Sequence, residues 1–143
     1  MIAQQADNDD VLDILVERYP RLFKGARPLA MSHVPPGWLQ ILDTLCAAFD
    51  ARLDDHQAAT FQIRQIKEKF GGLRFYFALS PWVEGRVVNP QEQRLRDGLD
   101  DLVRTAGDLA LATCGRCGGP GTLRFTPSQE VLCERHASGA GNG

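Results

Sequence analysis

The spacing Cys114-x2-Cys117, then fifteen residues, then Cys133-x2-His136 constrains this chain more than any other feature. Two short-spaced ligand pairs separated by about this much chain form the pattern of a structural zinc site. Two cysteines three apart can both reach one ion when the chain between them turns tightly. Gly115 and Gly118 permit such a turn, because glycine accepts φ > 0. Between the pairs, "GTLRF" and "QEVLC" can form a short hairpin turning at Thr126-Pro127-Ser128, which returns the second pair to the first. The expected cofactor is one structural Zn2+ held by Cys114, Cys117, Cys133 and His136. The start of the chain, "MIAQQADNDD", lacks the basic and apolar regions of a signal peptide. The chain therefore reads as cytoplasmic, where thiols stay reduced and a metal site is a better reading than a disulfide.

Four good ligands close the coordination shell. A catalytic zinc keeps an open position and usually has three protein ligands. No H-E-x-x-H occurs, and His33 in "SHVPP" and His56 in "DHQAA" supply no H-x-E of the kind a zinc deaminase needs. The site is expected to hold a C-terminal lobe in place and to do no chemistry.

With 143 residues, 43% of them hydrophobic, the rest of the chain can build a core without a staple. Val11, Leu12, Leu15, Val16 and Tyr19 follow helical spacing, with Asn8 or Asp9 as cap and Pro20 as terminator. "KGARPLAMSHVPPG" is a loop. A second helix is expected over roughly 36–55, with Trp38, Leu42, Leu45, Cys46, Phe49 and Leu53 inward. Cys46 on that stripe reads as a buried structural cysteine. The period then changes to two: Leu73, Phe75, Phe77 and Leu79 alternate with Arg74, Tyr76 and Ala78, a half-buried strand. Phe61 and Ile63 begin its partner, and Phe70-Gly71-Gly72 make the turn. The alternation slips at Ile66, which predicts a bulge or a ragged strand end near Lys67. Asn89, Pro90 and Glu92 start a third helix over about 90–112, with Leu95, Leu99, Leu102, Val103, Ala106 and Leu109 inward. The fold class is α+β: two N-terminal helices, a hairpin, a long helix and a zinc-ribbon-like or treble-clef-like lobe. Residues 1–113 form the core, 114–136 the lobe packed on it, and 137–143 a disordered tail.

The net charge is −2, yet residues 61–90 carry five basic and two acidic side chains. Arg64, Lys67, Lys69, Arg74, Tyr76 and Trp82 form a candidate binding surface, since cations interleaved with aromatics suit phosphates and bases. An ordinary solvated hairpin face is the competing reading. The paired acids Asp9-Asp10, Asp54-Asp55 and Asp100-Asp101 read as solvated, because adjacent helical residues do not share a face. No apolar run approaches the length of a membrane span.

The string "IKEKFGGLRFY", followed after a helix by "TCGRCGGPG" and "VLCERH", resembles a group of small bacterial and phage-encoded zinc-ribbon-like proteins. The resemblance spans roughly residues 61–136. It implies a bacterial or prophage setting and brings no catalytic residues. The leading expectation is a non-enzymatic, zinc-stabilised module whose partner is another protein, in a phage–host or toxin-related setting. The alternatives are a nucleic-acid-binding module using residues 64–76 with Arg116, Arg124 and Arg135, and an enzyme with an unrecognised site.

Overall fold

Asp10 caps the first helix, α1 (Val11–Arg18), its carboxylate accepting the Asp13 N–H at 3.1 Å. The computed structural model describes residues 10–28, 32–81, 83–125 and 128–140. Asn8 and Asp9, the expected caps, lie outside these residues. Pro20 does more than end α1: it occupies the first turn of a short helix, α2 (Pro20–Phe23), where a missing N–H costs nothing.

The single helix expected over 36–55 is three pieces. A 3-10 turn, Pro36–Trp38, leads into α3 (Leu39–Arg52), and a separate helix, α4 (Asp55–Thr60), follows. The break has a local cause. Leu53 is extended, and Asp54 and Gln57 close a reciprocal capping box that starts a new helix.

Strands β1 (Gln62–Lys69) and β2 (Gly72–Ala78) pair antiparallel, as the alternation predicts. The register shifts between Ile63 and Gln65, upstream of the expected position near Lys67. That extra residue, Arg64, explains the slipped alternation. It returns Ile66 to the core face beside Phe75, with Ile63 opposite Phe77 on the same face. The turn places both Phe70 (φ 55) and Gly71 (φ 83) in the left-handed region, as two-residue hairpins require. Residues 32–34 add a short parallel contact to β1: the His33 N–H donates to the Ile66 carbonyl, and the Glu68 N–H donates to the His33 carbonyl.

The third long helix, α5 (Pro90–Ala110), is capped by Asn89 through the Glu92 N–H. Leu99, Ala106 and Ala110 are buried, and Leu95, Leu102 and Val103 pack partly against the core. Leu109, expected inward, falls off that face and is 53% exposed. The core is organised around Phe49 of α3, whose ring meets Phe61, Phe75 and Phe77 edge-on at 5.7, 5.3 and 5.2 Å.

After α5 come β3 (Thr122–Phe125) and β4 (Gln129–Leu132), an isolated antiparallel pair, and a last helix, α6 (Glu134–Ala140). Thr126 and Pro127 of the expected turn lie outside the described residues. Residues 137–140 are helical where a disordered tail was expected: the Ala137 N–H reaches the Cys133 carbonyl at 2.9 Å and continues the turn that begins at Cys133. Residues 141–143 are outside the described range. No helix among the described residues is long and apolar enough to cross a membrane.

Candidate metal centre

Cys114 and Cys117 occupy a tight turn directly after α5. The Gly118 N–H donates to the Cys114 carbonyl, and the Cys114 N–H donates to the Gly119 carbonyl. Gly118 has the positive φ (82°) expected of this turn; Gly115 does not, and is glycine because a Cβ there would press on Pro35. The β3–β4 hairpin then carries the chain back. Cys133 precedes α6 and His136 sits in its first turn, so the sequence order is turn, hairpin, helix.

The four side chains converge. Their donor atoms all lie within 4.8 Å of one another, and the group could hold a metal ion. A tetrahedral zinc with ordinary bond lengths implies S···S edges of about 3.8 Å and S···N edges of about 3.6 Å. The Sγ atoms of Cys117 and Cys133 are 3.9 Å apart, and His136 Nδ1 lies 3.5 Å from Cys114 Sγ and 3.2 Å from Cys133 Sγ. The donor set therefore fits a small four-coordinate cation.

The electrostatics of the sulfurs are divided. Burial raises the Cys114 thiol, but backbone N–H groups of Cys133, Cys117 and Arg116 outweigh it and hold the group below the usual thiol range. At Cys117 the Gly119 N–H favours the thiolate. Desolvation and the neighbouring Cys114 and Cys133 sulfurs override it and push the thiol up. Cys46 is a contrast: burial, with Asp43 and Asp50 nearby, raises it to about 12, so it is a neutral core thiol as expected.

Lobe and core meet by backbone at the 3-10 turn, where the Gly37 N–H donates to the Gly115 carbonyl at 2.7 Å; next to it the Trp38 side chain holds the end of α5, Nε1 donating to the Thr113 carbonyl at 3.3 Å. A Cβ on Gly37 would lie 2.1 Å from the Cys114 carbonyl oxygen, which is backbone and cannot swing aside. Gly37→Ala is expected to force the lobe off the 3-10 turn and to destabilise by about 1–3 kcal/mol, the usual range for overpacking. A denaturant midpoint equal to that of the wild type would refute the close approach.

Between lobe and core lies a cleft of about 600 Å³, the size of ordinary ligand sites, walled by His33, Pro35, Phe70, Arg116, Glu130 and Val131 among others. The sequence did not reveal it, because its walls come from four separate stretches of chain. The one signal was an aromatic at the Phe-Gly-Gly turn, where asparagine or glycine is favoured.

Arg64, Lys69, Arg74 and Tyr76 of the expected surface are exposed, and Lys67 is half-buried beside residues 32–34. Trp82 lies outside the described residues. The lobe arginines do not form one free patch with them: Arg116 pairs with Glu130 at 3.8 Å and Arg124 donates to the Leu132 carbonyl, while Arg135 is exposed. His33 and His56 are exposed, Asp54 is a cap, and Asp55 and Asp101 pair with Arg21 and Arg104. The chain matches no family model, no curated protein and no solved structure.

Proposed function

We propose that this chain is a non-enzymatic, zinc-stabilised module that binds another protein through the cleft between its metal-held lobe and its core. The observation that carries the reading is Phe70. It is a large apolar residue, 64% exposed, held at φ 55 at the edge of the cleft. A left-handed conformation costs a non-glycine residue about 1–2 kcal/mol, and an exposed ring returns none of it through core burial. An aromatic presented over a pocket containing Pro35, Pro36 and Val131 is the kind of anchor that dominates protein interfaces.

Zinc is the metal that three thiolates and an imidazole suit best, and four protein donors leave no position for substrate. When bound, the ion supplies cohesion to a lobe that has little core of its own. Turn, hairpin and ligand-bearing helix make the lobe treble-clef-like, the second pair coming from the start of α6 and not from a second turn. The resemblance over residues 61–136 makes a bacterial cell, or a cell carrying a prophage, the place to seek the partner.

Phe70→Asn tests the reading, because Asn-Gly is the preferred dipeptide of this turn. The variant should unfold at the same temperature as the wild type or higher, and keep its zinc. A bacterial protein captured by the immobilised wild type should be lost from the variant. Equal capture by both proteins, or no capture by the wild type, would remove the cleft as the binding surface.

A further inference from the structure

The register of the first hairpin sorts its residues onto two faces. Ile63, Ile66, Phe75 and Phe77 face the core. The opposite face carries Gln65 beside Tyr76, Lys67 directly across from Arg74, and Lys69 beside Gly72. Arg64, the bulged residue, adds an exposed cation at the Tyr76 end. This face has two features that stability alone does not explain.

The first is charge. Like charges directly opposite on neighbouring strands destabilise the pair, yet Lys67 faces Arg74. Six arginines elsewhere are ion-paired: Arg18, Arg21, Arg27, Arg86, Arg104 and Arg116 each meet a carboxylate. Arg64, Lys67, Lys69 and Arg74 form no ion pair among the described residues. The second feature is Tyr76, which is 49% exposed and lies two residues along β2 from Arg74, on the same face. An exposed ring with Arg64 and Arg74, both exposed and outside any ion pair among the described residues, on its face matches what single strands require: a platform for a base and charges for the phosphates beside it.

We propose that this outer face binds single-stranded nucleic acid. The strip meets the cleft at its turn end, where Lys69 Nζ lies 5.5 Å from the centre of the Phe70 ring, whereas Arg64, Arg74 and Tyr76 do not line the cleft. Because the whole chain is net acidic, the strip acts locally and binding is salt-sensitive. Three or four phosphate contacts give a slope of log affinity against log salt of about −2 to −3.

The test is fluorescence anisotropy of the full chain with a labelled strand of about twelve thymidines at low salt. The expected result is saturable binding with the slope above. Arg74→Glu places a carboxylate opposite Lys67, so the hairpin should be no less stable, while affinity falls by roughly tenfold or more. Tyr76→Ala should weaken binding at least about fivefold and leave the salt slope unchanged. Arg94→Ala, on the exposed side of α5, should bind as the wild type does. The proposal is overturned by absent binding, by Arg74→Glu binding as tightly as the wild type, or by a polyglutamate peptide binding as tightly as the oligonucleotide, which would mark the strip as a surface for an acidic protein.

Discussion

Protein produced in zinc-containing medium should carry one zinc ion per chain, and stripping that ion should unfold residues 114–136 while α1 to α5 and the first hairpin persist. Structural zinc binding is worth about 10 kcal/mol or more, which exceeds what the lobe can supply alone. Its strands are four residues each, and a lone two-stranded hairpin is marginal in water. Its buried apolar groups are few, chiefly Cys114, Val131 and Leu132. The helical core has its own cluster from Val11 to Ala110 and does not need the ion. Elemental analysis gives the stoichiometry, and amide exchange before and after chelation reads the two regions separately. Cys117→Ser and Cys133→Ser should lose the metal and the protection of the lobe. Cys46→Ala should keep both, since that thiol is sealed in α3. A metal-free chain with the lobe still protected would overturn the site, and an absorption spectrum of the cobalt form that shifted on adding an external ligand would show that the shell is not closed.

The convergence of Cys114, Cys117, Cys133 and His136 was legible in the sequence because they come in two local pairs and only one loop has to close. The capped start of α5 and the alternation of β2 were legible for the same reason: each is set by residues within a turn or two of one another. What escaped depends on partners far along the chain. The alternation announced a defect, but placing the extra residue at Arg64 requires knowing that Ile66 must share a face with Phe75. Leu53 looked like helix because its apolar phase fits. The Asp54–Gln57 box is a purely local competitor, written in the sequence itself, and it outweighs that phase. The contact of residues 32–34 with β1 and the cleft beside it have no periodic signature. They arise from backbone groups meeting across long stretches, as at Gly37 and Gly115. Composition points the wrong way at residues 137–140: "ASGA" has no core-forming side chain, but it inherits helical geometry from the turn that carries His136.

Phe49→Ala is expected to be the most damaging single substitution outside the metal ligands. The ring is fully buried and makes edge-on contacts with Phe61, Phe75 and Phe77, so it joins α3 to β2 and to the residue that precedes β1. Truncating a buried phenylalanine costs about 3–5 kcal/mol. Each aromatic pair adds about 0.5–1.5 kcal/mol beyond area alone, which places Phe49 toward the upper end of that range. Domains of this size are stable by about 5–15 kcal/mol, so the loss would remove a third or more of the total. Phe75→Ala, which removes one of the three partners and leaves Phe61 against Phe77, should fall in the same range but below Phe49→Ala. Lys69→Ala, on the opposite face, should shift stability by no more than about 0.5 kcal/mol. Urea unfolding of the zinc-loaded chain orders the three variants. Equal midpoints for Phe75→Ala and Lys69→Ala would mean that the faces of the hairpin are assigned the wrong way round. A Phe49→Ala midpoint no lower than that of Phe75→Ala would mean that the core is not built around this ring.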